Sequence, residues 1–210
     1  MSMEKGRVKY SSDILGSATH GVRLWDSLRT WCKIIDEQEI KRAFNLFEKE
    51  EADRFEEGVI EGGVVALPGV HNLLDALRAG STPDKPGWTI VTSATNFYAP
   101  RALAQAGIEV SQYNPIITAN DVSKGKPHAD PYLAGAKSLN IDPKNCLVVE
   151  DAINGILSGK AAGAKTLGVT TSSSKEVVAV AKPDWIVQDL SCVSVCWIDG
   201  KLEVTILEDE

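Results

Sequence analysis

Between Leu24 and about Phe55, apolar side chains recur at helical spacing. Leu24, Leu28 and Trp31 share one face, then Ile40, Phe44 and Phe47 share another, which predicts a small helical unit. Past the glycine-rich stretch at 58–69 the period changes. Short runs rich in Val and Ile at 88–92, 115–118, 146–150 and 165–170 alternate with helical segments at 100–107, 132–139 and 156–163. That alternation predicts a parallel sheet flanked by helices. Val70, Leu73, Leu74 and Leu77 form an i, i+3, i+4, i+7 stripe leading, after a loop at 80–87, into the run that begins at Trp88. The boundary between the two units is expected between Gly62 and Pro68. At the carboxyl end, alternating runs at 193–198 and 202–207 flank Asp199-Gly200-Lys201, a hairpin signal.

Composition narrows the class. With 210 residues, 43% of them apolar, the chain is long enough to bury a full core as one α/β domain with a small accessory domain. A net charge of -7 and scattered Lys and Arg give no basic stripe, so neither nucleic acid nor an anionic membrane is an expected partner. The four cysteines, Cys32, Cys146, Cys192 and Cys196, lack zinc-type pairing and read as free thiols, with Cys192 and Cys196 left as a pair that could bind metal or oxidise. The polar first twelve residues hold no run long enough for a signal peptide or membrane span, and a cytoplasmic location is the default expectation.

In an open parallel sheet, ligands bind beyond the carboxyl ends of the strands, so the residues just after each apolar run carry the candidate chemistry. The first run ends in Ser93-Ala94-Thr95-Asn96, a hydroxyl and successive backbone N–H groups suited to phosphate oxygens, or else an ordinary helix cap. After the second, Gly125-Lys126-Pro127 places a lysine that either reaches over the site or stands in solvent. The third ends in Glu150-Asp151. Two adjacent carboxylates after a buried strand are costly unless a hard cation or a hydrogen-bond network compensates, and Mg²⁺ is the natural cation. Helix capping by Asp151 is the alternative.

Together, the segments ending in Ser93-Ala94-Thr95, in Gly125-Lys126-Pro127, and in Glu150-Asp151 followed by a glycine-bearing helix resemble the haloacid dehalogenase-like (HAD) phosphatase superfamily over about residues 13–190. The resemblance implies a Rossmann-like α/β core at 66–210, a helical cap at 13–65 and an unrelated leader at 1–12. It further implies that Ser93, Ala94 and Thr95 bind the transferring phosphoryl group, that Lys126 neutralises it, and that Glu150 and Asp151 position Mg²⁺. Around Asp13, Ile14, Leu15, His20, Gly21, Arg23 and Asp26 the sequence resembles the cap entry of fungal glycerol-phosphate and deoxyglucose-phosphate phosphatases and of β-phosphoglucomutase relatives. His20 and Arg23 are then expected on the leaving-group side of a small phosphorylated metabolite, although both also fit a polar loop entering a helix.

The family reaction starts from an Asp in an apolar run, Asp, any residue, Asp, Gly, Thr, where the first carboxylate attacks phosphorus and the second serves as acid and base. No Asp-x-Asp-Gly occurs in the 210 residues. Trp197-Ile198-Asp199-Gly200 imitates it, but Trp197 stands in the nucleophile's place and Asp199 reads as a turn residue. The nucleophile strand is central in this family, so its absence predicts a gap between two strands, and the segment 7–10 is too short and charged to fill it. Three expectations follow: a shortened phosphatase lacking turnover, a phosphate- or Mg²⁺-binding regulatory remnant, or an unstable fragment.

Overall fold

The structure is a computed structural model, and it describes residues 3–4, 7–8, 20–56, 64–111 and 113–207. Asp13, Ile14 and Leu15 of the cap-like run lie outside the described residues. Two helices, α1 (Leu24–Thr30) and α2 (Glu37–Glu56), form the helical amino-terminal unit. Leu28 and Ile40 are fully buried between them, and Trp25 meets Phe44 edge-on, with ring centroids 4.6 Å apart. Trp31, expected on the same face as Leu28, is nearly half exposed because α1 ends one residue before it.

The α/β part follows as α3 (Val70–Ala79), β3 (Ile90–Val91), α4 (Tyr98–Gln105), β4 (Ile116–Ile117), α5 (Asp130–Ser138), β5 (Leu147–Glu150), α6 (Ile153–Ala161), β6 (Lys165–Val169), α7 (Lys175–Ala179) and β7 (Trp185–Val187). β3 pairs with β4, and β5, β6 and β7 pair in that order, all parallel. The core lies on both faces of the second sheet. Leu167, Val169, Val187 and Val193 pack with Leu73 on one side, while Ile156, Val178 and Ala181 pack with Ile153 and Ile186 on the other. β7 escapes the sequence pattern because three residues behind a proline are too few to show a period.

Among the described strands, the parallel sheet is divided. Neither β3 nor β5 has a partner on the edge turned toward the other, and α5, which contacts β3 and α6, spans the division. Val149, in the middle of β5, is 38% exposed, which is high for a strand of a parallel sheet, where both faces are ordinarily covered. The short strands β1 (Met3–Glu4) and β2 (Arg7–Val8) pair antiparallel with each other and with neither sheet.

At the carboxyl end, β8 (Val193–Ile198) and β9 (Lys201–Ile206) pair from Ile198↔Lys201 outward, so the connection is the two residues Asp199 and Gly200. Both have positive φ, 49° and 70°, as a two-residue hairpin loop that follows strand twist requires. Trp197 packs against Gly80 and Gly87 and donates its Nε1 hydrogen to the Leu77 carbonyl at 3.1 Å. The imitation of the nucleophile motif is thus a hairpin clamped on α3.

β7 is tied to β6 by a carboxylate. Asp184 Oδ2 accepts from Thr166 N at 2.9 Å and from Thr166 Oγ1 at 3.2 Å, and Oδ1 accepts from Lys165 Nζ at 2.7 Å. The Lys165 hydrogen bond, helped by those from Thr166, holds the Asp184 carboxyl below its ordinary value. A carboxyl lowered on folding contributes stability fully above its unfolded value, near 3.9, and loses it as pH falls through the folded one. Asp184→Asn should therefore cost roughly 1–2 kcal/mol in urea melts at pH 7. Its deficit should shrink toward pH 3; an equal deficit at both pH values would contradict this account.

Candidate active site

Three strand ends and the entry to α1 meet at one place. Ser93 follows β3, Lys126 lies in the loop after β4, Glu150 and Asp151 close β5, and the His20-Gly21 turn comes down from the helical unit. Ser93 Oγ donates to the Gly21 carbonyl at 2.6 Å. His20 Nε2 lies 3.1 Å from Asp151 Oδ2 and 3.2 Å from Ser172 Oγ, and Asn154 Nδ2 donates to the His20 carbonyl at 3.3 Å. Gly21 is required here: its φ is +76°, and a Cβ on it would meet that of Ala152 at 2.7 Å.

Lys126 and Glu150 are the buried pair of the site, with side chains 5% and 8% exposed. The Lys126 ammonium donates to Glu150 Oε1 and, at 3.1 Å, to the Val91 carbonyl on the open edge of β3. Tyr132 Oη also donates to Glu150 Oε1, and the Lys126 Nζ stands 5.0 Å from the Tyr132 ring centroid. Burial, reinforced by the neighbouring charges of Glu150 and Asp151, pushes the Tyr132 hydroxyl well above its ordinary value and keeps it a donor. Gly155, in the first turn of α6, leaves the space that the Glu150 carboxylate fills. Tyr132, Gly155, Asn154 and Ser172 were not singled out in the sequence. Only Tyr132 carried a signal, since it opens the helical segment at 132–139 just after Lys126, and one tyrosine there does not reveal its partner.

Thr95 is buried, with its Oγ1 accepting from Tyr98 N at 3.2 Å and its carbonyl from Ala99 N at 2.9 Å, so it also caps α4. The Ala94 N–H goes to Thr92 Oγ1 at 3.1 Å, and the Ala94 carbonyl accepts from Ala119 N at 2.9 Å. The capping reading of 93–96 thus holds, with Thr95 at the start of α4. Arg23 is committed inside the chain. Its guanidinium holds Asp26 through Nε at 2.7 Å and Nη2 at 3.2 Å, and donates to the carbonyls of Val122 at 2.9 Å and Ser123 at 3.1 Å. The missing Cβ of Gly125 makes room for it. Beside the site, between α1, α2 and the loops after β3 and β4, lies a cavity of about 340 Å³ bordered by Arg23, Trp25, Phe44, Thr95, Asn120 and Ser123.

Glu150 and Asp151 are the candidate donors for a cation; among the described residues no cluster of three or more His, Cys, Asp or Glu gathers. This fits Mg²⁺, which takes one or two carboxylates and fills its octahedron with water and phosphate oxygens, better than a metal needing a full protein cage. Asp151 is about one third exposed, whereas Glu150 is buried and paired with Lys126. No helix among the described residues is long and apolar enough to cross a membrane.

Comparison with known proteins places this geometry. The chain is 37% identical over 150 residues to hexitol phosphatase A of Escherichia coli, covering 71% of this chain and 64% of that protein. It is 32% identical over 198 residues to glycerol-1-phosphate phosphohydrolase 2 of Saccharomyces cerevisiae, covering 91% and 74%. The fold matches the crystal structure of β-phosphoglucomutase from Clostridium difficile with a TM-score of 0.64 at 22% identity, covering 83% and 74%. The family model for haloacid dehalogenase-like hydrolases matches residues 6–163, which take in the helical unit, Ser93, Lys126 and the Glu150-Asp151 pair. With the parallel strands, the helical amino-terminal unit and the sequence match in agreement, this chain belongs to the haloacid dehalogenase-like hydrolase family.

Proposed function

We propose that this chain carries the phosphate- and Mg²⁺-binding half of a phosphomonoesterase acting on a small sugar or polyol phosphate. The observation that carries the reading is the convergence of Ser93, Lys126 and Asp151 at the ends of three parallel strands. The Ser93 hydroxyl exchanges its bond to the Gly21 carbonyl for a phosphoryl oxygen, and Lys126 places a positive charge over the phosphoryl group. Asp151, with Glu150, holds Mg²⁺, which when bound neutralises charge on the phosphoryl oxygens. The relatives named for hexitol and glycerol phosphates support a polyol or sugar leaving group, and the cavity against Trp25 and Phe44 offers it an aromatic wall. His20 stands at the junction of that cavity's helical unit with Asp151. Arg23 acts by fixing the loop at 122–123 against α1.

The chain holds no Asp-x-Asp-Gly. The 210 residues are accordingly expected to bind ligand without turning it over. The test is release of inorganic phosphate from glycerol 3-phosphate, 2-deoxyglucose 6-phosphate and p-nitrophenyl phosphate, with Mg²⁺ and with EDTA, alongside thermal shifts with the same esters. Stabilisation without release is the expected result. Magnesium-dependent release lost in Asp151→Ala would show that another group supplies the nucleophile, and no shift with any ester would remove the binding reading.

A further inference from the structure

The phosphate-binding lysine already has an anion. Lys126 and Glu150 lie buried against each other, a second donor of the ammonium goes to the Val91 carbonyl, and Tyr132 steadies the same carboxylate oxygen. Glu150 and the Val91 carbonyl take two of the three ammonium donors, so an incoming oxyanion can take the third, but it must share the lysine's charge with a carboxylate that is already desolvated and in place. Lys126, Glu150 and Asp151 sum to one negative charge, so a phosphate arriving alone meets net repulsion. We propose that Glu150 is an internal occupant of Lys126, so that phosphate gains the lysine only when the Glu150 charge is drawn off, and that divalent cation and phosphate bind with positive coupling through this ion pair.

The inference rests on the reading of Lys126 as the phosphate ligand, and it adds something that reading does not contain. A Glu150 that served only as a cation ligand, apart from Lys126, would act on phosphate in the absence of metal through its charge alone, an effect that Glu150→Gln removes and Glu150→Asp keeps. As an internal occupant, it weakens that binding in the fraction of molecules where the pair is closed. Coupling between two ligands is reciprocal, so the factor by which Mg²⁺ tightens phosphate equals the factor by which phosphate tightens Mg²⁺.

The experiment is calorimetric titration of inorganic phosphate into the full chain, first in EDTA and then in Mg²⁺, for the wild type, Glu150→Gln and Glu150→Asp. Gln keeps the size of the side chain and removes its charge. Asp keeps the charge and a cation donor but draws the carboxylate back from Lys126 by one methylene. In EDTA, both variants should bind phosphate about tenfold more tightly than the wild type, within the usual range of coupling between sites. Mg²⁺ should tighten phosphate markedly only where Glu150 is intact. Circular dichroism checks folding; Glu150→Asp, which keeps the charge, decides, with Gly155→Ala, which also keeps it, in its place where Glu150→Asp does not fold. Unchanged phosphate affinity in EDTA for the folded charge-keeping variant, with binding still lost in Lys126→Met, would overturn the internal occupant and leave the phosphate site standing. Failure of the wild type to bind phosphate in Mg²⁺ would overturn both.

Discussion

Lys126→Met should abolish phosphate binding and destabilise the chain by about 3–5 kcal/mol, the usual cost of stranding one member of a buried ion pair. Glu150 is 8% exposed at its side chain and would keep only the Tyr132 hydroxyl as partner, while the Val91 carbonyl at the open edge of β3 would lose its donor. The two consequences separate in a double variant. Lys126→Met with Glu150→Gln removes both charges, and it should recover most of the lost stability in urea melts while remaining unable to bind phosphate. If the single variant melts like the wild type, the pair is not desolvated as described. If the double variant binds phosphate, Lys126 is not its ligand.

Gly155→Ala should lower stability, reversing the usual sign of this substitution inside a helix. Exchanging a helical Gly for Ala ordinarily gains about 0.5–1 kcal/mol, because the unfolded chain loses freedom and the helix gains propensity. At Gly155 the added Cβ would fall on the carbon and both oxygens of the Glu150 carboxylate, far inside van der Waals contact. That group cannot swing away cheaply, since Lys126 and Tyr132 hold it and the surroundings are packed. Overpacking of this kind costs roughly 1–3 kcal/mol, more than the helix gains. Thermal or urea melts against the wild type decide the sign, and a more stable Gly155→Ala would mean that the carboxylate is not pinned. The variant should also bind phosphate more tightly in EDTA if the displaced Glu150 leaves Lys126, which links this prediction to the ion pair.

Much of the fold was legible in the sequence because its signals are local. The apolar stripe from Val70 to Leu77 and the Val- and Ile-rich runs ending at Thr92, Thr118, Glu150 and Thr170 are periodicities that one stretch of chain displays without help. The Asp-Gly turn states its own hairpin. The loaded positions after the strands were also readable, because parallel strands align their carboxyl ends and bring those positions together. The strands were overestimated in length: the runs at 88–92 and 115–118 contribute only two paired residues each.

By itself, the sequence determined the family and the alternation of strand and helix, and it singled out Ser93, Lys126, Glu150 and Asp151 as candidates. Only the tertiary structure decided what each of them is bound to. It joined Lys126 to Glu150 across 24 positions, Ser93 to the Gly21 carbonyl across 72 and His20 to Asp151 across 131, and it spent Arg23 on Asp26 and two loop carbonyls. Residue type fixes which charge and which hydrogen-bonding groups a position can present. Which partner answers them depends on burial and on what the fold places within about 3 Å, a property of packing between distant segments that no local pattern encodes.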